Sequence, residues 1–461
     1  MLKNKKGYCC FFLDKESNLL EGESFDYILQ DVKSPNLLRD LYPYNEIPKI
    51  AFNHRVVRQD MPESIWITDT TFRDGQQSQV PYTVKQISDL FDMLHDLSGP
   101  NGIIRQSEFF VYTKKDREAV AKCLEKGYKF PEVTAWIRAS REDFHLAKNL
   151  GIKEVGILVS CSDYHIFKKL KMTRKQALER YLSIVSIALE EGIRPRCHFE
   201  DITRADFYGF VVPFAKALMK LSKESGIPIK IRACDTLGFG TPYTGVTMPR
   251  SVPGIISGLK RLAKVPSEQI EWHGHNDFYK AVTNASTAWL YGASAVNCSL
   301  LGIGERTGNV PLEAMVFEYA SLRGTLDGMN TKVISKIANY FENEIGYEIP
   351  PMTPFVGKNF NCTKAGIHAD GLLKDEEIYN IFDTDIILDR PVKVEVSKTS
   401  GLAGVAFWYN SRYGESLDKN SPIIIHIKEW IDKQYEDGRE TSISDSELES
   451  LATGFKSKVI I

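Results

Sequence analysis

From residue 61 onward short apolar runs alternate with amphipathic stretches, and this alternation is what most constrains the fold. Strand-like runs occupy 65–69, 102–110, 132–137, 154–160, 194–200, 229–235, 270–275 and 295–301. Between them lie helical patterns. In the first, Ile87, Leu90, Phe91 and Leu94 fall on one face behind Thr83, a residue suited to cap a helix start. Others begin near Lys114, Arg141, Thr173, Thr203 and Tyr279. Eight strands alternating with helices over roughly 260 residues predict a (β/α)8 barrel. An open doubly wound sheet would advertise a glycine-rich first βα turn, and Phe72-Arg73-Asp74-Gly75 is not one.

The rhythm sets the expected boundaries. Residues 1–60, interrupted by Pro35, Pro43 and Pro48, read as an extension wrapping a barrel at 61–325. Residues 326–410 form a small segment, helical over 326–350 and mixed over 359–410, with prolines 350, 351 and 354 as a linker. Residues 411–461 hold one amphipathic helix at 423–435, then a polar run expected to be a solvated or mobile end. A net charge of -2 excludes global attraction to nucleic acid or an anionic membrane surface. No apolar run approaches the ~20 residues of a membrane span. The eight cysteines form no C-x-x-C pair, so zinc-ribbon and dithiol motifs are absent. Reduced thiols in a cytoplasmic protein are expected, and Cys9 and Cys10 receive no role.

Chemistry collects at the strand ends. The first strand runs into a charged turn carrying Arg73, Asp74 and Gln77. The seventh ends in His273-Gly274-His275-Asn276-Asp277, where alternation points both imidazoles the same way. Both strands reach one barrel face, so Asp74, His273 and His275 can hold a divalent metal, with Asn309 after the eighth strand adding an oxygen. In the fifth strand Arg196, His198 and Glu200 share the inward parity, and Glu108 and Thr236 join them. Barrel interiors are usually apolar, so this polar wall predicts an anion-handling pocket. The loop Gly302-Ile303-Gly304-Glu305-Arg306-Thr307-Gly308-Asn309 lacks a following Gly-Lys-Ser/Thr, which disfavours nucleotide hydrolysis. A loop closing over the metal and a substrate phosphate or carboxylate suits it better. His368, in Ala365-Gly366-Ile367-His368, is a lone loop histidine with Tyr379 eleven residues on.

These motifs resemble the metal-dependent Claisen-condensing barrel enzymes that include isopropylmalate, homocitrate and Re-face citrate synthases. Asp69 to Gln76, His273 to Asp277, Gly302 to Asn309 and Ala365 to His368 carry the likeness, in the expected order. The resemblance implies an α/β TIM barrel followed by a small α+β lid-like subdomain and a helical tail, in a homodimer with shared active sites. It implies that Asp74, His273 and His275 hold the metal (Mn as first choice, with Mg, Co or Zn as alternatives) and that a 2-oxo acid chelates it. Arg73 would neutralise charge on the keto oxygen, and Glu200 counts among the catalytic residues. Gln77, Glu108, Arg196, His198 and Thr236 match substrate-contacting positions. His368 with Tyr379 would manage proton transfer at the acetyl-CoA methyl group.

The segments Asn53-His54-Arg55, 102–110 and 132–139 are similar to the citrate branch of that family. Acetyl-CoA and the 2-oxo dicarboxylic acid oxaloacetate are then the expected substrates, and Arg138, Arg196 and Arg204 could face the second carboxylate. His198 departs from the small hydroxyl residue of homocitrate synthases, which counts against 2-oxoglutarate. Rival expectations are a synthase acting on another 2-oxo acid, a related lyase, and a non-catalytic metal-binding barrel. The lyases carry a cysteine in the glycine-rich loop, and this chain has none there.

Overall fold

In the computed structural model eight parallel strands close into a barrel in the order in which they occur along the chain. They are β1 (Trp66–Asp69), β2 (Ile104–Phe109), β3 (Glu132–Ile137), β4 (Glu154–Ser160), β5 (Arg194–Glu200), β6 (Lys230–Asp235), β7 (Ile270–Gly274) and β8 (Ala295–Cys298). Val296 of β8 pairs with Ile67 on one side and Trp272 on the other, which seals the ring. The structure describes residues 11–14, 19–22, 26–78, 81–138 and 140–459; Cys9 and Cys10 lie outside these.

The helices follow the local signals. Thr83 and Gln86 form a reciprocal capping box for α1 (Val84–Ser98), whose Ile87, Leu90, Phe91 and Leu94 are buried. Thr113, Ser140 and Thr173 likewise cap α2 (Lys114–Glu125), α3 (Arg141–Asn149) and α4 (Arg174–Glu190). The helix expected near Thr203 starts later, as α5 (Val212–Ser225). Asp201 sits in the left-handed region at φ 62°, and Pro213 belongs in a first helical turn. Neither α6 (Val252–Leu262) nor the helix after the eighth strand was among those expected, although Ser251 caps α6 and Pro253 stands in its first turn. Two more, α7 (Ala281–Tyr291) and α8 (Leu312–Arg323), complete the ring.

Charged side chains, not branched apolar ones, fill the barrel's lower interior. Arg196 donates to Glu108 at 2.8 Å and approaches Glu154 at 3.3 Å. Arg232 bridges Glu108 at 3.0 Å and Glu271 at 2.7 Å, and Lys230 reaches Glu154 at 2.9 Å. Three carboxylates thus meet three cations, so little net charge is left in the low-dielectric interior. Burial alone would raise Glu108, but Arg232 and Arg196 override it and hold its carboxyl well below the usual range.

Contacts define two compact units, Met1–Asn330 and Thr331–Ile461. Within the first, the extension runs along the barrel: Gln30 N donates to Gly209 O at 2.9 Å and Asn53 N to Gly245 O at 2.8 Å. The second begins with α9 (Lys332–Tyr340) and contains α10 (Gly366–Lys374), with a short parallel pair joining Cys362–Thr363 to Lys393–Val394. The expected boundary at 410 falls inside α11 (Leu402–Tyr413). The polar run expected as a mobile end contains a helix. After α12 (Pro422–Glu436) comes α13 (Asp445–Val459), whose Leu448 and Ala452 pack with Val405, Tyr409, Ile424 and Ile427. With Leu451 and Phe455 packed against the same cluster, the apolar residues fall at i, i+3, i+4 and i+7 on one face of an otherwise polar helix.

Candidate active site

At the C-terminal ends of the strands a cavity of about 180 Å³ is lined by Arg73, Asp74, Gln77, His198, Glu200, Thr236, His273 and His275. Eight of the expected site residues therefore come together where barrels of this kind place their chemistry. β1 ends in Asp69, and the wide helical turn Thr71–Gly75 swings Arg73 and Asp74 over the barrel mouth. Asp69 anchors that turn by accepting from Thr71 N at 3.0 Å and from Ser107 Oγ at 2.5 Å.

The two histidines are poised as bases. His273 Nδ1 lies 2.8 Å from Asn297 Oδ1, while Asn297 Nδ2 donates to Thr68 Oγ1 at 2.9 Å. An amide oxygen only accepts, so His273 carries its proton on Nδ1 and leaves Nε2 bare. That nitrogen lies 3.2 Å from His275 Nε2 and 3.8 Å from Asp74 Oδ2. Burial, reinforced by His275 and Arg232, holds the His273 imidazole well below its ordinary range. Burial and Arg306 bring His275 down to about 4, so both rings are neutral near pH 7. Asn309 donates to Asp74 Oδ2 at 3.3 Å, and its Oδ1 is buried without a hydrogen-bond partner.

These donors suit a divalent cation. Arg73 Nη1 occupies Asp74 Oδ1. Among the described residues no three His, Cys, Asp or Glu side chains already converge as a closed ligand set. A bare imidazole nitrogen, a neutral second imidazole and an orphaned amide oxygen are what a cation would satisfy, once Arg73 releases the carboxylate. Arg73 has somewhere to go, since its guanidinium lies 4.9 Å from the Trp136 ring centroid and its Nε is without a partner.

On the opposite wall, His165 Nδ1 stands 3.0 Å from Glu200, and Ser160 Oγ also bonds that carboxylate. Burial pushes Glu200 up, but His165, Ser160 and Lys169 outweigh it and bring the group to about 2. Glu200 is therefore ionised and acts as an acceptor. Burial and Arg232 lower His198 to about 4. Thr236 Oγ1 accepts from Asp201 N at 2.9 Å.

Three expected substrate contacts fall elsewhere. Arg196 and Glu108, about 1% exposed, belong to the charged layer beneath the cavity. The pairing of Arg196 with Glu108 satisfies charge that the sequence left free. Arg138 is 71% exposed on its side chain, pairs with Asp143 at 3.4 Å and stacks on Tyr112, outside the cavity lining. Conversely, Glu305 and Arg306 line the cavity and were not singled out individually. Arg306 ties its loop down by donating to Thr236 O at 2.5 Å and to Asp277 at 2.9 Å. Arg232 was also missed, although its parity along β6 matches that of Lys230 and Cys234. His368 and Tyr379 lie in the second unit, where their rings meet at 4.6 Å between centroids.

The HMGL-like family model matches residues 64–340. A citrate (Re)-synthase of Clostridium kluyveri is 62% identical over 441 residues, spanning 95% of this chain and 97% of that protein. One of Syntrophus aciditrophicus is 56% identical over 92% of this chain and 68% of that protein. A 2-phosphinomethylmalate synthase of Streptomyces hygroscopicus is 37% identical over 91% and 96%. The chain belongs to the HMGL-like family and groups with its citrate (Re)-synthases.

Proposed function

We propose that this chain condenses acetyl-CoA with oxaloacetate and hydrolyses the resulting thioester, giving citrate and CoA. The identity to citrate (Re)-synthases across nearly the whole chain is the observation that carries the substrates. The chain is a transferase of citrate synthesis, and the synthases of other 2-oxo acids are not favoured.

Asp74, His273, His275 and Asn309 would hold the divalent cation, for which manganese is our choice over Mg, Co or Zn. Once bound, it supplies Lewis-acid polarisation of the keto group. Arg73, freed from Asp74, faces the charge that develops on the keto oxygen. Gln77, His198 and Thr236 position the oxo acid from the cavity rim and wall. Glu200 stays a carboxylate throughout the neutral range, so it accepts hydrogen bonds and donates none. His368, packed against the Tyr379 ring at a 49° tilt, handles the proton of the acetyl methyl group.

We place the enzyme in the cytoplasm as a homodimer with shared active sites; the six described cysteines are free thiols, in keeping with a reducing compartment. The dimer reading is tested by mixing inactive Asp74→Asn and His368→Ala variants, and recovery of activity is expected. The reaction is tested by condensing labelled acetyl-CoA with oxaloacetate and locating the labelled arm of the citrate. Label in the arm expected of Re-face attack supports the assignment. Release of CoA with 2-oxoglutarate or pyruvate, and not with oxaloacetate, would sink it.

A further inference from the structure

We propose that the groove between residues 39–48 and the rim of the barrel binds the adenine nucleotide end of the acyl-thioester donor. This inference rests on the acetyl-CoA reading above and deepens it. The catalytic cavity, at about 180 Å³, leaves room for the reacting groups but not for a nucleotide. A second cavity, of about 410 Å³, opens beside it. The two meet along consecutive residues, since Thr236 lines the first and Leu237 the second. Arg204, on the wall of the second, holds Asp201 at 2.9 Å, and Asp201 follows Glu200 directly.

The chemistry of the groove fits a base and a pyrophosphate. Tyr44 enters it from the extension with 94% of its surface exposed, and Phe278 faces it 42% exposed. The uncovered Tyr44 ring and the exposed part of Phe278, whose other side packs against Phe239, offer aromatic surface to a purine, and stacking on it is favourable for any base. Three cations line the same space. Arg39, Lys168 and Arg204 lie 5.8, 5.6 and 4.0 Å from the Tyr164 ring centroid, so they cluster about one point. Glu46 is the one carboxylate in the lining. A cationic cluster beside exposed aromatics complements a diphosphate joined to a purine, and guanidinium groups bind phosphate oxygens in pairs. The extension is held in place for this, because Tyr42 OH donates to Thr203 O at 2.8 Å and Asn36 N to Asp163 at 2.7 Å.

The test uses the full-length protein, with ADP as a probe of the groove alone. Calorimetry should show ADP binding that weakens about 10-fold in Tyr44→Ala and in Lys168→Ala, both exposed positions where folding is not at stake. Absence of ADP binding, or binding unchanged in both variants, overturns the proposal. In turnover, the preference for acetyl-CoA over S-acetylpantetheine, measured as the ratio of kcat/KM values, should fall about 10-fold in the same variants. An equal loss for both thioesters would assign these residues to the thioester end and overturn the groove. If the unaltered protein binds ADP yet turns over neither thioester, the donor reading fails and the nucleotide site stands.

Discussion

Asn297 Oδ1 sits 2.8 Å from His273 Nδ1 and thereby decides which nitrogen of that ring faces the cavity. The link continues through Thr68 Oγ1 to Glu271, so a carboxylate deep in the barrel orients a candidate metal ligand at its mouth. Partners behind a ligand typically carry about 10–100-fold in metal affinity. Asn297→Ala should weaken Mn binding by that factor, read by equilibrium dialysis or calorimetry, while the fold is retained. Unchanged affinity would detach Asn297 from the site.

Gly156 on β4 makes the room that His198 occupies. A Cβ there would stand 2.7 Å from His198 Nε2 and 2.8 Å from Glu108 Oε1, and neither the ring nor the paired carboxylate can easily yield. Gly156→Ala should displace the imidazole, raise KM for the oxo acid about 10-fold and cost about 1–3 kcal/mol of stability through overpacking. Steady-state kinetics with oxaloacetate as the varied substrate, alongside thermal unfolding, checks both. A stability loss with unchanged KM would remove His198 from oxo-acid binding.

The barrel was legible because a period of two and a period of 3.6 alternate in the sequence, and because Thr83, Thr113, Ser140 and Thr173 mark helix starts chemically. Inward parity on β5 found Arg196, His198 and Glu200 together, but parity says nothing of depth. Arg196 lies one layer deeper than His198 and finds Glu108 and Glu154 there. Placing it required the stagger between strands, which only the closed barrel supplies. The helix at Asp445–Val459 escaped because its apolar stripe, Leu448, Leu451, Ala452 and Phe455, is a short one set in a run of hydroxyl and charged residues.

Arg232 bridges two buried carboxylates, Glu108 at 3.0 Å and Glu271 at 2.7 Å, and shares both with Arg196, which also serves Glu154. Replacing it by methionine keeps volume and removes the charge, which leaves buried carboxylates in excess. Arg232→Met should lose about 3–5 kcal/mol of stability, the cost typical of breaking a buried ion pair from one side. Denaturant unfolding measures it. A loss below about 1 kcal/mol would mean that Arg196 and Lys230 suffice to neutralise the layer.

Glu313, at the start of α8, accepts from Leu301 N at 3.1 Å, and burial pushes its carboxyl up from 4.5 to about 7. Because the folded value lies above the unfolded one, the neutral form favours folding. The stability it confers is fully present below pH 4.5 and is lost as pH rises towards 7, above which the penalty is constant. Glu313→Gln keeps an oxygen for Leu301 N and removes the titration. The variant should match the unaltered protein at pH 4, below the unfolded value of 4.5, and melt roughly 2–5 °C higher at pH 8. Asp69 and Asp235, both raised by burial to about 6, titrate alike in the two proteins and cancel in the comparison. Scanning calorimetry at the two pH values decides the matter, and an equal shift at both would trace the effect to packing instead of charge.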